Sequence, residues 1–121
     1  MRILGIDPGT RKMGYGLLED HGEIMAVDWG VISLPASLPI ETRLFQLHSH
    51  LLNMISIWLP DEMAVEEPFV GKGENQFVGP ALAVGQAQAL ALIAAAGQSI
   101  PISRYSPAQV KRAVTDHGAA S

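Results

Sequence analysis

The sequence contains no cysteine, which excludes a disulfide scaffold and every cysteine-based zinc finger. Aromatic residues make up only 6% and charged residues 17%, while 48% of positions are hydrophobic. That balance excludes intrinsic disorder, and no glycine period of a collagen-like repeat is present. The amino terminus lacks the basic stretch and long apolar core of a signal peptide. The expectation is a soluble, intracellular, cytoplasmic chain. At 121 residues it is one domain's length, enough to bury roughly two-thirds of its unfolded surface.

Positive charge is also scarce. Eight basic residues stand against twelve acidic ones, for a net charge of −4. This argues against a protein that holds nucleic acid mainly by bulk electrostatics. Only residues 101–114, with Arg104, Lys111 and Arg112 and no acid, offer a small basic surface.

What is present is a clear succession of patterns. Arg2 to Ile6 is a short apolar run that ends in the turn chemistry of Asp7-Pro8-Gly9. Met13 to Leu18 and Ile24 to Ile32 read as two further strands, joined at Asp20-His21-Gly22, so a meander is expected. From Ile40 to Trp58 apolar residues recur at steps of three and four, the period of an amphipathic helix. Pro39 fits its first position, and Pro60-Asp61 ends it. Met63 to Val65 is a short buried strand, residues 69–80 read as a loop, and 81–97 as an alanine-rich helix. Between Glu74 and Arg104 no residue is charged, yet Gln86 and Gln88 argue for a buried helix over a membrane span. Ala81, Gly85 and Ala89, four apart, suggest a close-packing face. Ile100 to Ser103 reads as a strand, and Pro107 to Val114 as a helix. The order implies an α/β fold with a mixed sheet flanked by helices.

Two places carry chemistry. Asp7 ends an apolar strand, where open α/β sheets set their sites, although an aspartate there is also an ordinary turn residue. Gly9 and Gly14 have the spacing of a phosphate loop, but Tyr15 stands where that loop needs lysine. Asp7 therefore reads as a metal or proton ligand. Glu66 and Glu67 follow the buried strand at Met63 to Val65, and successive strand residues point to opposite faces. One can face a site while the other meets solvent or a basic partner. Oxygen-rich pairs of this kind suit Mg²⁺ or Mn²⁺. By contrast, His48 and His50 diverge on their helix and His21 lies in a turn, so none reads as a metal ligand.

Taken together, Ile-Leu-Gly-Ile-Asp-Pro-Gly-Thr at 3–10, Gly-Tyr-Gly at 14–16 and Val-Glu-Glu-Pro-Phe at 65–69 resemble the RuvC family of Holliday-junction resolvases. Val-Gly-Gln-Ala at 84–87 and Tyr-Ser-Pro-Ala-Gln-Val-Lys at 105–111 strengthen the likeness, which covers essentially the whole chain. The resemblance implies a ribonuclease H-like fold with a five-stranded mixed sheet. It also implies a homodimer that nicks four-way DNA junctions symmetrically with two Mg²⁺ ions per site, in recombination and repair. A branch-migration helicase complex is an implied partner.

Residue by residue, the resemblance assigns Asp7 and Glu66 to the metals and to catalysis. Phe69 matches an aromatic that packs on bases near the junction centre, and Lys111 a basic residue near the scissile phosphate. Arg112, Lys72, Arg11 and Lys12 are further candidates for phosphate contacts. The family completes its site with acids, or a histidine and an acid, on a last helix, and the chain stops at Ser121. The expectation is thus a nuclease domain truncated before that helix, with Glu67, Asp116 and His117 as substitute ligands. The alternatives are a non-cutting, dimerising junction-binding module and another ribonuclease H-like family sharing the Ile-Leu-Gly-Ile-Asp opening. The blocks at 66–69 and 107–111 favour RuvC over that family.

Overall fold

Alternation along the first third of the chain gives three strands, and the period change at Ile40 gives a helix. In a computed structural model that describes residues 1–66 and 78–105, these are β1 (Arg2–Asp7), β2 (Lys12–Asp20), β3 (Ile24–Ser33) and α1 (Ile40–Trp58). They are followed by β4 (Glu62–Glu66), α2 (Val78–Gly97) and β5 (Ile102–Tyr105). The expected helix at 107–114 lies outside the described residues.

The sheet has the order β3-β2-β1-β4-β5, so β1 is central. β1, β2 and β3 form the expected antiparallel meander. β4 then lies parallel to β1, and β5 parallel to β4. A parallel neighbour cannot be reached by a tight turn, and α1 supplies the crossover. This is the mixed sheet expected from the element order.

One face of the sheet meets both helices. Leu4 and Ile6 on β1, Met13 on β2, and Met63 and Val65 on β4 pack there against Leu47, Leu51 and Ile55 of α1 and Ala87, Ala91, Ala94 and Ala95 of α2. α1 presents the seam its period predicts. Its carboxyl end is closed by Leu59 in the left-handed region (φ 48°), whose amide donates to the Ile55 carbonyl. Arg2 Nη1 donates to the Trp58 carbonyl at 3.1 Å, a cation where the helix dipole is negative.

α2 departs from expectation in two respects. It begins at Val78, within the segment read as a loop. Its packed face is Ala87, Ala91, Ala94 and Ala95, whereas Ala89 is exposed. Leu82 and Ile93 are also exposed, so the helix is only partly buried. β5 starts two residues later than the sequence suggests. The Ile100 amide still donates to the Ala95 carbonyl, and the ladder to β4 opens when Pro101 accepts from Met63 at 2.9 Å. Among the described residues, no helix is long and apolar enough to cross a membrane.

Candidate active site

The strand register fixes where the two singled-out carboxylates stand. Ile3, Leu4, Gly5 and Ile6 of β1 pair in parallel with Glu62, Met63, Ala64 and Val65 of β4. Leu4, Ile6, Met63 and Val65 belong to the core on the helix side. Alternation sends Asp7 and Glu66, each one residue further on, to the opposite face. They end adjacent parallel strands at about the inter-strand spacing of 4.8 Å between backbones. Two acids far apart in sequence thus become neighbours.

Both are half-buried, and the Glu66 Oε2 atom is buried. The sheet around them carries small residues. Gly14 pairs with Asp7 across β1 and β2, Gly16 pairs with Gly5, and Ala64 pairs with Gly5 from the β4 side. Glu66 pairs with Tyr105 on β5. Lys12, two residues before Gly14 on β2, shares the Asp7 face by alternation and is exposed, as is Arg11.

The turn after Asp7 is tightly built. A Cβ on Gly9 would lie 2.2 Å from the Lys12 carbonyl oxygen, so only glycine fits this close approach. The Arg11 carbonyl accepts from the Leu34 amide at 2.7 Å. Thr10 is buried, and its Oγ1 accepts from Arg43 Nη1 at 3.3 Å. Sequence reading missed Arg43 and Thr10. An arginine in the first turn of an amphipathic helix carries no signal until the loop facing it is known.

The structure thus brings Asp7 and Glu66 together and sets Lys12 on the same face, with Arg11 exposed in the turn before it. Glu67, Phe69, Lys72, Lys111, Arg112, Asp116 and His117 lie outside the described residues. Among the described residues, no group of three or more histidine, aspartate or glutamate side chains is placed to hold a metal. His21 contacts Glu19 at 3.0 Å on the surface, His50 is exposed on α1, and Trp29 is 42% exposed. Side by side, two carboxylates offer hard oxygen donors, the chemistry that a divalent cation such as Mg²⁺ selects.

Comparison with known proteins follows the same lines. A family model described as crossover junction endodeoxyribonuclease RuvC matches residues 3–121. A crossover junction endodeoxyribonuclease RuvC of Thermomicrobium roseum is 43% identical over 120 residues, covering 99% of this chain and 71% of the relative. One from Dehalococcoides mccartyi is 46% identical over 122 residues, again covering 71% of the relative. Among solved structures, the T. thermophilus RuvC in complex with a Holliday junction substrate superposes with a TM-score of 0.78 at 30% identity, over 93% of this chain and 69% of that one. The yeast mitochondrial Holliday junction resolvase shares the fold, with a TM-score of 0.63 at 15% identity.

Proposed function

Since the chain belongs to the RuvC family of crossover junction endodeoxyribonucleases, we propose that it resolves four-way DNA junctions by metal-dependent hydrolysis of phosphodiester bonds. The observation that carries this reading is the juxtaposition of Asp7 and Glu66, each one residue beyond the paired Ile6 and Val65 at the ends of adjacent parallel strands. In this reading Asp7 and Glu66 are the metal ligands. A Mg²⁺ ion held by them would supply positive charge at the scissile phosphate and an activated water. Without it, the two negative carboxylates would repel a phosphodiester.

Lys12, exposed on the Asp7 face, and the exposed Arg11 hold backbone phosphates in this reading, which position the DNA without reading its sequence. Phe69, Lys72, Lys111 and Arg112 extend that contact surface, and Glu67, Asp116 or His117 complete the metal site. Paired, symmetric nicks need two sites, and a homodimer supplies them. A branch-migration helicase complex is the partner such an enzyme would serve.

The test is nicking of a labelled synthetic four-way junction in Mg²⁺, beside a linear duplex of the same sequence. The expected result is paired cuts on the junction alone. Asp7→Asn and Glu66→Gln should each slow them by at least on the order of 100-fold while leaving junction binding intact. Unchanged nicking in either variant would overturn the assignment of that residue. Junction-specific binding by the parent chain with no nicks would instead favour the non-cutting, dimerising module.

A further inference from the structure

Arg43 joins two loops that the strands leave separate. It is the fourth residue of α1, and its own amide donates to the Pro39 carbonyl at 3.0 Å. Its guanidinium reaches in two directions. Nε donates to the Leu38 carbonyl at 3.1 Å, on the loop from β3 into α1. Nη1 donates to Thr10 Oγ1 at 3.3 Å, on the turn from β1 into β2. Both bonds are partly buried, and Thr10 is 7% exposed. Such bonds to a charged donor are stronger than neutral ones, and the buried hydroxyl would be left unsatisfied if the arginine were lost.

That turn begins immediately after Asp7. Residues 9–11 are pinned in three ways. Gly9 closes against the Lys12 carbonyl, Leu34 donates to Arg11, and Arg43 donates to Thr10. The first two are contacts of backbone with backbone. The third is the only one of these made by a side chain, and it anchors the turn to a helix. Lysine has no planar fork with which to serve both loops at once.

We propose that Arg43, acting through Thr10, is a positioning residue for the Asp7 carboxylate. The inference rests on the reading of Asp7 as a metal ligand. Arg43 touches neither substrate nor metal in this account. It holds the turn so that the carboxylate at the end of β1 keeps one orientation, as groups behind a metal ligand commonly do.

The experiment compares Thr10→Val, Thr10→Ser and Arg43→Lys in the full chain. The first readout is amide hydrogen exchange at residues 9–12, without metal or DNA. The second is single-turnover nicking of the four-way junction in Mg²⁺, with junction affinity measured in parallel. Thr10→Val should raise exchange at 9–12 by about tenfold while β4 amides keep their protection. It should slow nicking by about 10- to 100-fold and change junction affinity by less than about twofold. Thr10→Ser, which keeps the hydroxyl, should restore both. Arg43→Lys should shift both in the same direction as Thr10→Val, and it carries the test if Thr10→Val does not fold.

Faster exchange with an unchanged nicking rate would reduce the contact to a loop staple and overturn the proposal. So would a Thr10→Ser variant as slow as Thr10→Val. An Asp7→Asn variant with full activity would instead remove the reading of Asp7 while leaving the exchange result in place.

Discussion

Gly14 stands opposite Asp7 across the β1–β2 ladder, and a Cβ on it would lie 3.3 Å from Asp7 Cβ and 3.7 Å from Asp7 Oδ2. The first distance is tighter than ordinary van der Waals contact, so the aspartate side chain would have to yield by a few tenths of an ångström. The second places a methyl group in van der Waals contact with a carboxylate oxygen of the proposed metal ligand.

Gly14→Ala should therefore separate activity from stability. Alanine leaves the unfolded chain less conformational entropy to lose than glycine does, which offsets the crowding, so stability should change by no more than about 1 kcal/mol. Nicking should fall by on the order of tenfold or more, because small misplacements of a reacting group are expensive in rate. Urea titration and single-turnover nicking together check this. Wild-type rates would mean that the β2 side of Asp7 need not be open.

A second expectation concerns Lys12, which is exposed on the same face as Asp7. If it holds one phosphate, Lys12→Gln should weaken binding to different junction sequences about equally. It should also flatten the slope of log affinity against log salt by about 1. Junction affinities at several salt concentrations measure that slope. An unchanged slope would remove Lys12 from the DNA contacts.

The third expectation is structural. Leu47 is fully buried between α1 and the sheet, while Phe45, two residues away on the same helix, is 71% exposed. Leu47→Ala should cost about 2–5 kcal/mol of stability, and Phe45→Ala no more than about 0.5 kcal/mol. Denaturant unfolding of the two variants checks the orientation of α1, since a rotated helix would reverse the order.

Much of this architecture was legible in the chain. The three-and-four spacing of Leu47, Leu51, Met54, Ile55 and Trp58 marked the buried seam of α1, even though Phe45 and Ile57 leave apolar side chains on its exposed side. α2 gave no such guide. Its apolar residues surround the helix, and the packing within the chain falls to Ala87, Ala91, Ala94 and Ala95, a face that the small-residue spacing at Ala81, Gly85 and Ala89 did not single out. The start of β5 was misplaced because the backbone of Ile100 is taken by the closing turn of α2, a hydrogen bond that side-chain pattern does not encode.

The candidate site divides in the same way. Asp7 and Glu66 were visible as acids that end apolar strands. That they are neighbours depends on β4 pairing with β1 rather than with β3, a matter of topology. Arg43 and Thr10 were invisible because their contact spans two loops whose paths only the folded chain defines.

The parallel pairing of β1 with β4 also has a consequence in time. β1, β2 and β3 can zip together through local hairpins, but β4 arrives only after α1 has carried the chain across the sheet. Non-local closure of this kind is slow relative to hairpin formation. On the ribosome, where the chain emerges amino end first, a nascent copy exposes Asp7 long before Glu66 exists. Until β4 docks, it presents a lone carboxylate, and half-made copies lack the acidic pair altogether.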